Sequence, residues 1–236
     1  MKLALGDLPR RQDEMLTAKE LSEVCVSVLD DQKNKLDMVA ARTRSKALEY
    51  WLQCELVAKL QEQYKDAYRM VVSEWYIPMK FAGTKRGMGE CDIVMIHKNR
   101  QEHIHDLYHW NDPRGPDDLL GGTYIEIKTS IHNDFSPKAS KPVILKRLRP
   151  DIGRIQRLRE HAKIEGVEAD GYLIGVFFDA TPMDEGGRKP SVDQPRKPCL
   201  DQMTGWFDDD PELKDRVCQR IEFQDHYGIM ACIWKR

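Results

Sequence analysis

The sequence predicts a mixed α/β domain in which helices cover both faces of a central β-sheet. Three observations point there. The hydrophobic patterns run in the order helix, three strands, helix, strand, which suits a sheet layered between helices. Residues 171–179 (GYLIGVFFD) are apolar at nearly every position, as a strand buried on both faces must be. A chain of 236 residues suffices for one large domain, or one domain with appendages, that buries about 70% of its unfolded surface.

Each element follows from local signals. Thr17 and Glu20 have the spacing of a capping box, in which each side chain satisfies a free backbone N–H at a helix start. Leu21, Val24, Cys25 and Val28 then share one helical face. A polar stretch leads on to Ala41, so residues 1–43 read as an N-terminal helical arm, structural or an oligomer contact. Residues 44–64 carry a helical pattern without Gly or Pro, and residues 69–79 read as a strand closed by Pro78. Residues 83–89 (GTKRGMG) form a turn, and residues 90–97 a strand apolar at most positions.

Residues 98–122 are polar, with Pro113, Pro116, Gly121 and Gly122, and read as an inserted loop or hairpin. A strand at 123–130, an Arg-rich helix at 150–166 and the buried strand at 171–179 complete a core spanning 44–180. Beyond it, residues 181–200 form a loop rich in Pro, Gly and Lys. Asp210 and Pro211 start a short helix to Arg220, and residues 220–234 form a strand pair turning at 226–228. This segment, 181–236, is expected to pack on the core as a C-terminal loop, short helix and strand pair.

Composition narrows the function classes. The net charge of −2 gives no global sign of a nucleic-acid partner, although a local basic stripe is enough to contact phosphates. The six cysteines contain no CxxC pair and sit mostly among apolar neighbours, which predicts buried free thiols in a reducing compartment. Leu3, Ala4 and Leu5 are too short an apolar stretch for a signal peptide, and no run approaches the ~20 residues of a membrane span. The expectation is a soluble, cytoplasmic protein. The glycines of 83–89 lack the Lys-Ser/Thr of a phosphate-binding loop, and no Gly-x-Ser-x-Gly supports a protein nucleophile. His97, His103, His105 and His109 match no common zinc spacing and read as solvated loop residues.

The informative residues lie in two strands. Side chains alternate across a strand, so Glu126 and Lys128 point to one face and Ile125 and Ile127 to the other. Such charges are costly to bury unless paired or bound to a metal. Asp92 sits in the middle of another apolar strand, in residues 89–96 (GECDIVMI). A buried Asp beside a buried Glu repels it, and one of the two protonates. A divalent cation removes that conflict; Mg²⁺ is commonly held by one or two carboxylates plus waters and phosphate oxygens.

Asp92 followed by Glu126, Ile127 and Lys128 resembles the PD-(D/E)XK nuclease superfamily, which includes many restriction endonucleases and repair nucleases. The context over residues 44–180 matches too: helix, strand, Gly-rich turn, G-E-x-D strand, E-x-K strand, helix, apolar strand. Two departures are visible. Asp92 and Glu126 stand far apart for the family, so the 98–122 insertion must loop out, and Cys91 replaces the Pro before Asp92. The resemblance implies a restriction-endonuclease-like core in which Asp92, Glu126 and the carbonyl of Ile127 ligate Mg²⁺, for which Mn²⁺ can substitute. Lys128 would position the attacking water, and hydrolysis would leave a 5′-phosphate and a 3′-hydroxyl.

The family often adds a helix Glu, and two are available. Glu55 falls beside Lys59 and Glu62 on a charged face, whereas Glu49 and Gln53 fall among Leu52, Leu56 and Leu60. Glu49 is therefore chosen, as catalytic residue and metal ligand, with Gln53 as a helper. A substrate surface is suggested by Lys138, Lys141, Lys146, Arg147, Arg149, Arg154, Arg157 and Arg159, among which Asp151 is the single acid. Gln156 and Arg157 are further candidates to face the site. The expected function is Mg²⁺-dependent cleavage of double-stranded DNA, with a lean toward a sequence-specific type II enzyme acting as a homodimer. The alternatives are a structure-specific repair, recombination or phage-type nuclease, and a silent nucleic-acid-binding module.

Overall fold

The computed structural model describes residues 16–32, 45–77, 89–98, 121–130, 140–179, 200–222 and 228–236. In chain order these form α1 (Ala18–Asp31), α2 (Ser45–Gln63), β1 (Tyr68–Ile77), β2 (Gly89–His97), β3 (Gly122–Ser130), α3 (Ser140–Glu165), β4 (Ala169–Asp179), α4 (Leu200–Asp208), β5 (Val217–Glu222) and β6 (Gly228–Lys235). The strands build one six-stranded sheet in the order β1-β2-β3-β4-β6-β5. Only β3 and β4 pair in parallel, joined by α3 as crossover; the other neighbours are antiparallel, so the sheet is mixed.

Strand parity explains the layers. Along β4, Tyr172, Ile174, Val176 and Phe178 face one core, with Leu21, Cys25, Leu52 and Leu56 of α1 and α2. Leu173 and Phe177 face the other, with Leu148, Ile152 and Ile155 of α3 and Met203 and Phe207 of α4. A strand covered on both faces must be apolar throughout, which is what residues 171–179 display. The capping box at Thr17 and Glu20 forms as its spacing predicts. Just before it, the Leu16 N–H donates to the Tyr68 hydroxyl at 3.0 Å, and the Tyr172 hydroxyl donates to the Leu16 carbonyl. These bonds tie the start of α1 to strands β1 and β4. The apolar face of α1 lies on β5 and β6 of its own sheet.

Several expectations need correction. The Arg-rich helix begins at Ser140, ten residues before Pro150, which lies inside it. Proline removes one helical hydrogen bond, but Ile144, Leu148, Ile152 and Ile155 keep the helical period through it and stay buried. The helix expected after Pro211 is absent. Asp210 instead closes a single turn: its carboxylate accepts the Glu212 N–H at 3.0 Å, and its carbonyl accepts the Lys214 N–H at 2.9 Å. The helix of this region is α4, upstream, whose Leu200, Met203 and Phe207 are buried at helical spacing.

β5 and β6 also prove integral to the central sheet, with β6 paired along the length of β4. The cysteines are not uniformly buried thiols. Cys218 and Cys232, directly opposite on β5 and β6, are disulfide-bonded, and Cys54 is exposed; Cys25 and Cys91 are free and buried. The 83–89 turn, nearly all of the 98–122 insertion, the 181–199 loop and the 226–228 turn, apart from Gly89, Lys98, Gly121, Gly122 and Gly228, lie outside the described residues. No helix among the described residues is long and apolar enough to cross a membrane.

Candidate functional site

The candidate site forms where the sheet divides. β2 and β3 pair from Ile96–Gly122 to Ile93–Ile125, and there the ladder stops. β2 continues beside β1 down to Gly89, and β3 continues beside β4 out to Ser130. Backbone groups facing this fork lose their ladder partners and must find others.

Side chains of the predicted site take over that role. The Ile127 N–H donates to Asp92 Oδ2 at 2.6 Å. The Asp92 carbonyl accepts from Gln53 Nε2, also at 2.6 Å, and Gln53 is itself buried. The Thr129 N–H donates to Glu49 Oε2 at 3.3 Å, and the Ile127 carbonyl accepts from Lys128 Nζ at 2.9 Å. The Cys91 thiol lies 3.4 Å from the Ile125 carbonyl as a weak donor. The residues expected to carry chemistry thus also satisfy the backbone of the fork.

The helices deliver the remaining groups. Glu49 and Gln53 are one turn apart on α2, so one helical edge reaches both branches of the fork. Glu55 belongs to the partly exposed surface of the same helix. From the opposite layer, α3 presents Asp151 and Arg154. Arg154 Nη2 lies 2.5 Å from Glu126 Oε2 and 2.8 Å from Asp151 Oδ1. Lys128 Nζ lies 3.5 Å from Glu49 Oε1 and 3.5 Å from Asp151 Oδ2. Strand parity holds here as well: Ile125 and Ile127 face the α1–α2 core, and Glu126 meets α3 on the other side.

Electrostatics follow from burial and from this census. Glu126 is only 2% exposed, and burial pushes its carboxyl well above the ordinary range against the pull of Arg154; Asp92 and Asp151 add to the push. Burial likewise raises Glu49, opposed chiefly by Lys128. For Lys128, burial favours the neutral amine, but Asp151, Glu49, Asp92 and Glu126 outweigh it and hold the ammonium charged. Burial, then Glu126 and Asp92, pushes the Cys91 thiol far up, so it stays a thiol. Fully ionised, four carboxylates (Glu49, Asp92, Glu126, Asp151) face two cations (Lys128, Arg154), an excess of two negative charges.

Among the described residues, no three or more His, Cys, Asp or Glu side chains converge as a metal-holding cage. Mg²⁺ does not need one, because it keeps several waters and takes one or two carboxylates. The donors present fit that habit. Glu126 Oε1 is buried and has no hydrogen-bond partner among the described residues, a costly condition unless something else satisfies it. Asp92 spends Oδ2 on the Ile127 N–H and keeps a second oxygen. With all four carboxylates ionised, the charge excess would equal that of one divalent ion.

Of the residues assigned to DNA, Lys138 lies outside the described residues and the Lys141 side chain is not described. Lys146, Arg147, Arg149, Arg157 and Arg159 are exposed on α3, with Arg149 paired to Asp210 at 2.9 Å and to Glu212 at 3.6 Å. Arg154 is the correction: it turns inward to Glu126, because it lies beside Ile155 on the edge of the buried face. Gln156 is exposed and, at about 200° around the helix from Arg154, faces away from the fork. Sequence reasoning missed Asp151 as a site residue and assigned Arg154 to the DNA surface rather than to the fork, although a signal for Asp151 existed. Asp151 stands three residues after Leu148 and four before Ile155, on the apolar stripe itself. No family model, curated protein or solved structure matches the chain.

Proposed function

We propose that this protein is a metal-dependent endonuclease with a PD-(D/E)XK-type site on a restriction-endonuclease-like core, hydrolysing DNA phosphodiester bonds. The observation that carries the reading is the buried, unpartnered Glu126 Oε1 in a cluster where four carboxylates meet two cations. A purely structural cluster has no reason to keep that oxygen dry and bare.

In this reading Asp92, Glu126 and the Ile127 carbonyl hold Mg²⁺ or Mn²⁺, with Glu49 close by. When bound, such a cation neutralises charge on the phosphate and acidifies water. The chain's own residues do the rest. Arg154 occupies Glu126 Oε2 and leaves Oε1 for the cation. The Ile127 N–H fixes Asp92 through Oδ2. Lys128, held charged, donates to the attacking water or to a phosphate oxygen as negative charge develops. Glu49, 3.5 Å from Lys128 Nζ, orients Lys128 and is a carboxylate available to accept a proton from that water. The exposed Lys146, Arg147, Arg157 and Arg159 supply phosphate contacts along α3. Within the class we favour a sequence-specific type II enzyme that cuts both strands of a duplex as a homodimer.

The test is cleavage of supercoiled and linear DNA with Mg²⁺, Mn²⁺, Ca²⁺ or EDTA, beside Asp92→Ala and Lys128→Ala. Cleavage with Mg²⁺ or Mn²⁺ that both substitutions abolish is the expected result. Discrete fragments support restriction; smears or junction-specific nicks support a repair-type enzyme. DNA bound but never cut would leave a binding module in its place.

A further inference from the structure

Lys128 meets acceptors from three elements of the site. An ammonium carries three N–H bonds, and three acceptors surround Nζ: the Ile127 carbonyl at 2.9 Å, Glu49 Oε1 at 3.5 Å and Asp151 Oδ2 at 3.5 Å. They come from three different elements, β3, α2 and α3. Two of them lie on β3 and in the α2 layer, so Asp151 is the anchor that draws the ammonium toward α3. Its other oxygen accepts from Arg154 Nη2 at 2.8 Å, and the same nitrogen reaches Glu126. One carboxylate therefore links the lysine and the metal-ligand glutamate through a single turn of helix. Asp151 is only 8% exposed, on a helix whose outer face is basic. A carboxylate buried at that position works against the attraction of the helix for phosphate, so its benefit must lie inside the site.

We propose that Asp151 is a positioning residue for the cleavage reaction, aiming the Lys128 ammonium and, through Arg154, the Glu126 carboxylate. The inference rests on the nuclease reading and adds to it a residue outside the D…E-x-K motif. Three explanations of Asp151 predict different results. If it acted only as a charge on the DNA-binding helix, removing it would tighten DNA binding and leave cleavage unchanged or faster. If it were only structural, its loss would lower stability and spare the cleavage rate of the folded fraction. As a positioning residue, its loss leaves DNA affinity equal or tighter while the cleavage rate at saturating enzyme falls. A misplacement of about 1 Å in a catalytic group costs on the order of 100-fold in rate.

The experiment is single-turnover DNA cleavage and DNA affinity, measured on full-length wild type, Asp151→Ala, Asp151→Asn and Glu160→Ala. Glu160 is an exposed acid on the same helix and controls for charge alone. The expected outcome is a rate loss of about 100-fold for Asp151→Ala without weaker DNA binding. Asp151→Asn, which keeps the shape and an acceptor oxygen, recovers part of that rate, and Glu160→Ala cleaves like wild type. A second arm needs neither DNA nor metal: reductive methylation of Lys128, followed by peptide mass spectrometry, runs faster in Asp151→Ala than in wild type. An unchanged cleavage rate in Asp151→Ala, or an unchanged methylation rate, overturns the proposal. If wild type cuts nothing, the nuclease reading fails, and the methylation arm alone decides whether Asp151 holds Lys128.

Discussion

Replacing Asp92 by Asn and, separately, by Ala pulls apart the two jobs its carboxylate holds. Oδ2 accepts the Ile127 N–H at 2.6 Å and closes the open end of the β2–β3 ladder. The carboxylate also supplies negative charge beside Glu126. Alanine removes both, leaving a donor at the fork unsatisfied, which costs about 1–3 kcal/mol. For a chain of this size that lowers Tm by roughly 2–12 °C. Asparagine keeps an oxygen in place to accept the N–H, and the exchange of a charged acceptor for a neutral one costs about 1 kcal/mol. Loss of the charge acts in both directions, because Asp92 repels Glu49 and Glu126 but attracts Lys128 and Arg154. Asp92→Asn should therefore melt within roughly 2–4 °C of wild type while losing Mn²⁺ binding and cleavage. Differential scanning fluorimetry in EDTA, titration calorimetry with Mn²⁺ and DNA digestion measure the three quantities. Should Asp92→Asn melt as low as Asp92→Ala, or still cut DNA, the division of labour argued for this carboxylate is wrong.

Three further outcomes are expected. Mn²⁺ at a hundredfold excess over its Kd stabilises by about 2.7 kcal/mol, which raises Tm by roughly 5–11 °C; the rise should vanish in Glu126→Gln, and an equal rise there would place the metal elsewhere. In native protein an alkylating reagent should label exposed Cys54 first, sparing Cys25, whose thiol burial pushes up to about 12, and Cys91 until the chain unfolds; mass mapping showing Cys91 reacting as fast as Cys54 would contradict the packing at the fork. A Cβ on Gly171 would stand 2.0 Å from Ile155 Cγ2, so Gly171→Ala should push α3 off the sheet, cost about 1–3 kcal/mol and slow cleavage. Gly205 has open space around it within α4, so Gly205→Ala should instead stabilise by about 0.5–1 kcal/mol; urea melts compare the two, and equal effects would refute the contrast.

Much of the site was legible because local periodicity reports which side of an element is buried. Period-two alternation set Glu126 and Lys128 against Ile125 and Ile127, and the structure places the two isoleucines in the α1–α2 core and Glu126 against α3. Helical phase separated Glu49 from Glu55, and Glu49 is the one that reaches Lys128. The capping box marked where α1 starts. Periodicity is weaker where a proline or a polar residue sits on the buried stripe. It therefore misplaced the start of α3 at Pro150 and took Arg154 for a surface cation.

Strand pairing is a contact between distant segments, and no local pattern encodes it. Hence β6 between β4 and β5, the Cys218–Cys232 bond across that pair, and the point where β2 and β3 part all emerge only in the folded chain. The last matters most, since the fork is what leaves backbone groups to be satisfied by Asp92, Gln53 and Glu49. The sequence by itself marked Glu49, Asp92, Glu126 and Lys128 as charges among buried neighbours, because burying one is so costly that the apolar pattern around it stands out, but it did not mark Asp151 or Arg154. Which partner each of them met was decided by tertiary structure, because an ion pair's energy depends on distances between elements that the chain sets only when it closes on itself.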